Sequence, residues 1–359
     1  MIGPTAVRAS TARSGLLEAF VHALPKLELH VHLEGAFRPA TLLALARRHG
    51  VSLPADDEAG LARWFRYRDF EHFVEVYLTC SSCLRDPEDF HRLALDFLEE
   101  QARQNVLWSE AHFTISTHLA RGLDGGSVAE ALAAAAEEGE QRLGTAVRWI
   151  PDIVRNMPAD RAEATLTWAL ENRSRGVVAV GAAGIESAGN AVCRGPLLEA
   201  ARHGLHRTIH AGEQCGPDSV REAVDELGAE RIGHGIRAVD DPILVGRLAE
   251  ARMPLEVCPT SNLRLGLVDS IAAHPFETLR AAGVELSIGS DDPPLFGTTL
   301  EGEYLALARA FDYTFEELAD LARAGLRHAF TTPRERAALE TELGRRMEAA
   351  WRVVDRTGG

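Results

Sequence analysis

"KLELHVHLEG", residues 26–35, is the first strand-like run of the chain, and its reading decides the fold. Apolar and polar residues alternate with the two-residue period of a strand, which places His30 and His32 on one face. Glu34 and Gly35 follow, where an open nucleotide-binding sheet would carry a glycine-rich phosphate loop. Neither G-x-G-x-x-G nor a P-loop is present after this run.

Seven further runs of β character occur at 107–113, 146–154, 176–186, 207–213, 231–236, 254–259 and 284–290. Helical stretches separate most of them, including 127–143, 160–175 and 241–253. Strands alternating with helices imply parallel pairing through crossovers, and eight such units predict an α/β fold, a closed (β/α)8 TIM barrel. The interval 38–106 shows periodic apolar positions, for example in "PATLLALARRHG" and "PEDFHRLALDFLEEQARQ". It predicts a helical insertion after strand 1, over the barrel mouth. Without internal repeats or low-complexity linkers, residues 16–359 read as one domain behind a flexible N-terminal extension, 1–15.

Of 359 residues, 46% are hydrophobic and 25% charged, an ordinary globular profile. The net charge of −15 disfavours nucleic acid or an anionic membrane as partner, because both need a basic surface. No apolar run approaches the ~18 residues of a membrane span, and the first twenty residues lack a signal-peptide core. A cytoplasmic location is therefore expected; the sequence carries no signal for oligomeric state. The five cysteines are odd in number, and Cys80-x-x-Cys83 has no second pair at zinc-ribbon spacing. They read as buried small hydrophobes.

In a barrel the chemistry gathers at the C-terminal strand ends. There the sequence offers His30-x-His32, His210-x-x-Glu213, His234 and Asp291-Asp292. Ionisable groups are costly to bury unpaired, and a metal ion satisfies several imidazoles and a carboxylate at once. Three imidazoles with one of the aspartates would suit Zn2+, one per chain, leaving an open position for water. Glu213 stands close enough to exchange protons with a water or a substrate nitrogen. His234 would hold or polarise the water, and the second aspartate would face substrate.

These segments resemble the adenosine deaminase family of the amidohydrolase superfamily. The matching stretches are "LELHVHLEGAFRP", "GIESAGN", "HAGE", "RIGHGIR", "CPTSNLRLG" and "SIGSDDPPLFGTTLEGEY", spread over residues 24–345. The resemblance implies hydrolytic deamination at C6 of an aminopurine nucleoside, a small-molecule substrate. It implies His30, His32, His210 and Asp291 as zinc ligands, and Glu213 as proton donor to purine N1. His234, with Asp291, would orient and help deprotonate the attacking water. Asp292 would bond N7, the Gly189 backbone would lie against N3, and Glu34 would stand near the sugar. Adenosine is the leading substrate expectation; 6-aminodeoxyfutalosine and adenine, deaminated by other members of the family, are the alternatives. Glu34 stands where many members have Asp, and "SAGNA" (187–191) departs from the family's acidic sequence after its glycine. "VRWIPDIVRN" (147–156) resembles the aminodeoxyfutalosine group. A barrel hydrolase with a bridging lysine between two metals is disfavoured, since 146–154 and 176–186 contain no Lys.

Overall fold

Eight strands pair in chain order, each parallel to the next: β1 (Lys26–His32), β2 (Val106–Phe113), β3 (Ala146–Val154), β4 (Ala179–Ala183), β5 (His206–Ala211), β6 (Arg231–His234), β7 (Leu255–Val257) and β8 (Leu286–Ile288). A computed structural model describes residues 4–356, with side chains from Ser14 onward. The eight strands and flanking helices form the expected (β/α)8 barrel. Closure is a single bridge between Val31 and Asp291, just beyond β8. Asp291 N–H donates to the His30 carbonyl (3.1 Å), and His32 N–H donates to the Asp291 carbonyl (2.7 Å). The seam that closes the ring thus sets Asp291 beside both histidines of β1.

Three strands are shorter than their apolar runs. Gly176 and Gly184, at φ 92° and 91°, bound β4, since left-handed backbone cannot continue an extended ladder. Pro254 and Pro259 flank β7, and the latter begins the short helix Pro259–Arg264. β8 stops at Gly289, where an added Cβ would lie 2.6 Å from the His30 carbonyl oxygen.

Helix α1 (Pro4–Ala23) precedes the barrel. It covers most of the segment expected as a flexible extension; residues 1–3 and the side chains before Ser14 lie outside the described ones. The insertion after β1 is helical, as expected: α2 (Pro39–His49), α3 (Glu58–Trp64), α4 (Phe70–Ser81) and α5 (Pro87–Arg103). Aspartates 57, 69 and 86 cap α3, α4 and α5 by accepting backbone N–H bonds, the interaction that makes Asp favourable at an N-cap. α4 lies across the mouth, with Phe73 stacked on Phe296 at 5.0 Å between centroids. Cys80 and Cys83 are buried and all five cysteines are free. Among the described residues, no helix is long and apolar enough to cross a membrane.

Candidate active site

The strands aim five imidazoles at the same few ångströms of barrel interior. Ring centroids of His30 lie 5.5, 5.0, 4.6 and 4.9 Å from those of His32, His112, His210 and His234. Their donor sites are already apportioned. His30 Nδ1 donates to Glu256 Oε2 at 2.9 Å, which leaves Nε2 as a buried lone pair with no hydrogen-bond partner. His210 Nδ1 donates to the Ala182 carbonyl at 3.0 Å, so its Nε2 carries a lone pair and no proton. His32 Nδ1 faces Asp152 Oδ2 at 3.6 Å.

The far nitrogens converge. His32 Nε2 lies 3.2 Å from His210 Nε2, and Asp291 Oδ1 lies 3.4 Å from His32 Nε2 and 3.7 Å from His30 Nε2. Burial first, and neighbouring imidazoles next, push His30 and His210 well below their ordinary pKa, so both rings are neutral. Bare nitrogens and a carboxylate facing one another in a dry interior repel unless a cation stands between them. The three imidazoles, with Asp291 beside them, could hold such a cation.

Above this cluster opens a cavity. His32, His210, Glu213, His234, Asp291 and Asp292 line its floor, and α4 contributes Phe70, Phe73, Val74, Tyr77 and Leu78. A larger open groove, of about 1740 Å³, lies at the opposite strand ends beside Arg148, His206 and Phe330, away from the imidazoles. His234 Nε2 stands 3.8 Å from Glu213 Oε1 and 3.9 Å from Asp291 Oδ2. Burial raises the Glu213 pKa, with Asp291 adding to it. Asp292 is raised well above the carboxylate range by burial and by Asp291 next to it, and so tends to keep a proton. His234 and Asp291 both adopt positive φ (60° and 63°), a conformation uncommon outside glycine and concentrated at functional sites.

Two sequence-predicted positions are placed differently. Gly189 does not line the cavity; the glycine at the end of β4 that does is Gly184. The sequence offers Ala-Gly twice within seven residues, at 183–184 and 188–189, and only the strand's end selects the first. Glu34 is fully buried and off the cavity wall. Its Oε1 accepts from Thr114 N–H and Oγ1 (2.8 Å each) and His118 Nε2 (3.1 Å), and its Oε2 from Tyr77 OH (3.1 Å). Burial would raise its pKa, but the His118 and Thr114 donors outweigh that and hold it at about 2.

Sequence reasoning missed the carboxylates beneath the cluster. Glu256 grips His30, and Asp152 sits between His32 and His112, whose Nδ1 donates to Asp152 Oδ1 at 2.9 Å. The signal was available: "PLEVCP" and "VRWIPDIV" each carry one acid inside an apolar strand, which has to be paired. Glu186 was also missed. It accepts from the backbone N–H groups of Gly212, Gln214 and Cys215, pinning the turn that carries Glu213. Gly35 is required by space, since a Cβ there would overlap the Asp292 carboxylate.

A (β/α)8 barrel with imidazoles and carboxylates gathered at its C-terminal mouth defines an amidohydrolase-type enzyme, a class whose deaminases are metal-dependent. The chain belongs to the adenosine deaminase family, whose description, "Adenosine deaminase", matches residues 25–345. It is 40% identical to an aminodeoxyfutalosine deaminase of Streptomyces coelicolor, over 93% of this chain and 87% of that one. An adenine deaminase of the same organism is also 40% identical, over 84% and 88%. Among solved structures, an amidohydrolase from Burkhoderia ambifaria with bound Zn superposes with a TM-score of 0.84 at 27% identity, covering 99% of this chain and 96% of that one. The protein is an aminohydrolase of adenine-like substrates. These two Streptomyces relatives are named for aminodeoxyfutalosine and adenine, so adenosine loses its leading place among the expected substrates.

Proposed function

We propose that the enzyme removes the 6-amino group of aminodeoxyfutalosine, releasing ammonia and the 6-oxo product, with one Zn2+ held by His30, His32, His210 and Asp291. The observation that carries the reaction is the convergence of those four side chains at and just beneath the cavity floor, beside Glu213, His234 and Asp292. Bound there, zinc would supply a water of lowered pKa at neutral pH.

The chain's own groups supply the rest. Glu213, raised by burial, donates its proton to purine N1, so that negative charge does not build up on the ring as C6 is attacked. His234 orients the attacking water. Asp292, holding a proton, donates to N7, an acceptor. The Gly184 backbone lies on the wall where N3 would rest.

Two features favour a modified nucleoside over adenosine. Glu34 has its lone pairs committed to protein donors, which leaves it poorly placed to take a sugar hydroxyl. Beyond the polar floor the wall is largely apolar, with Phe70, Val74, Leu78, Met157, Ile185 and Leu265 beside Thr117 and Asn156, and suits a substituent larger than a plain sugar. Two aminodeoxyfutalosine deaminases, 40% and 39% identical over 93% of the chain, favour the same substrate over adenine, whose deaminases are 32–40% identical over 84–91% of it.

The test is one assay of the zinc-loaded enzyme on aminodeoxyfutalosine, adenosine and adenine, following loss of 6-aminopurine absorbance and ammonia release. Aminodeoxyfutalosine is expected to show the highest kcat/KM, by about tenfold or more, the worth of ~1.4 kcal/mol in transition-state binding. Equal or better turnover of adenosine or adenine would remove the substrate assignment, and no turnover of any would remove the reaction.

A prediction about the metal follows from Gly233. A Cβ there would lie 2.8 Å from His30 Cε1 and 3.2 Å from the His210 Cα, so Gly233→Ala must push the His30 ring aside. Zinc affinity, read by competition with a chromogenic chelator, is expected to fall about 10–100-fold, as when a ligand's support is lost. Unchanged affinity would show that His30 is not a ligand.

A further inference from the structure

His234 Nε2 faces the space between Glu213 and Asp291, so whether that nitrogen carries a proton decides what the ring can do there. The proton positions of a buried histidine follow from its partners, and here the partners form a chain that begins at a fixed donor. The backbone N–H of Phe276 donates to His274 Nδ1 at 3.0 Å. A backbone N–H cannot reverse its role, so Nδ1 accepts and the single proton of the neutral His274 ring lies on Nε2. Burial first, then nearby His234, lowers the His274 pKa to about 4, which keeps that ring neutral near pH 7.

His274 Nε2 lies 3.1 Å from Asn262 Oδ1 and donates to it. That contact fixes an amide whose oxygen and nitrogen are otherwise interchangeable in shape. Asn262 Nδ2 is then turned toward His234 Nδ1, at 3.3 Å, and donates. His234 Nδ1 is an acceptor, and its proton sits on Nε2. Asn262, His274 and His234 are all buried, at 0%, 3% and 1% exposure, so water does not compete for these bonds.

We infer that Asn262 and His274 are positioning residues that hold His234 in the Nε2–H tautomer, so that His234 donates a hydrogen bond into the reaction space and takes no proton from a water there. The inference rests on the role given to His234 above, and it narrows that role. Of the two groups expected to help deprotonate the water, Asp291 is the one left with an acceptor atom facing it. Helix Pro259–Arg264, which carries Asn262, and the segment 274–276 at the start of helix Phe276–Ala281 thereby become part of the machinery, although neither lines the cavity.

Asn262→Asp is the sharpest test, because it changes one donor into an acceptor at constant shape. The carboxylate still accepts from His274 but now draws a proton onto His234 Nδ1. The zinc-loaded enzyme, labelled with 15N-histidine, reports the tautomer through its ring nitrogen shifts, the His234 signals being identified by their loss in His234→Gln. Wild type is expected to show Nε2–H, and Asn262→Asp to show the proton on Nδ1. With it, kcat should fall about 10²–10⁴-fold, the range of a mispositioned acid–base group or wrong tautomer. KM and bound zinc should stay within about threefold. His274→Phe keeps the bulk but frees the amide to turn; it should give both His234 tautomers and an intermediate kcat.

A wild-type His234 protonated on Nδ1 would overturn the inference. So would a swapped tautomer in Asn262→Asp with kcat within threefold of wild type, or a single Nε2–H tautomer with full kcat in His274→Phe. The tautomer is read without turnover, so a failed substrate assignment and a failed relay give different results.

Discussion

Glu213→Gln in the zinc-loaded enzyme is expected to lower kcat by about 10²–10⁴-fold, the usual contribution of a positioned acid–base group. KM and bound zinc should change by less than about threefold. Glutamine keeps the length and a hydrogen-bond donor, so the turn pinned by Glu186 need not move and a purine can still be held at N1. What is lost is a transferable proton. Burial raises the Glu213 carboxyl, and that is the direction an acid working near neutrality requires. The dominant loss therefore belongs in kcat, since full protonation of the ring develops only as C6 is attacked. Steady-state kinetics with metal analysis on the same samples decides it. A kcat within threefold of wild type would take Glu213 out of the proton transfer.

The barrel was legible because its strands are short apolar runs separated by amphipathic helices, and because the polar exceptions fall at the ends of those runs. His30, His32, His210, His234, Asp291 and Asp292 could be picked out for that reason, and the structure gathers them. Position along a strand is a local property, and the two-residue period reads it directly. Gly189 and Glu34 show where local reading stops. Which Ala-Gly meets the cavity depends on the residue at which β4 leaves the sheet, and that is set by its pairing with β3 and β5. Whether Glu34 is free depends on Tyr77 from α4, Thr114 after β2 and His118 from the helix Ile115–Ala120, up to 84 residues away. No spacing rule brings those donors together. The Asn262–His274 contact is hidden for the same reason, since its meaning depends on which atoms face one another.

Arg231→Met is expected to destabilise the metal-free protein by about 3–5 kcal/mol, the usual consequence of stripping one partner from a buried charge network. Arg231 enters the barrel from β6, two residues before Gly233, and is 1% exposed. Its Nη2 meets Glu110 Oε2 at 2.6 Å, its Nε meets Glu256, and its Nη1 donates to the His328 carbonyl at 2.9 Å. The guanidinium lies 3.6 Å over the Phe330 ring. Methionine fills much of the volume, so the loss measured is chiefly electrostatic: two carboxylates remain in a dry interior without their cation. The consequence reaches the site through Glu256, which also accepts from His30 Nδ1 at 2.9 Å and Thr208 Oγ1 at 3.0 Å. A Glu256 without its cation is no longer fixed in place and holds His30 less firmly, and zinc affinity should fall about 10–100-fold. Arg231→Lys, which keeps the charge but not the planar fork, should lie between the two on both measures. Denaturant unfolding of the metal-free proteins and chelator competition separate the effects. If stability drops while zinc affinity holds, Glu256 does not transmit the change to His30; if neither moves, the network is not what holds the barrel floor.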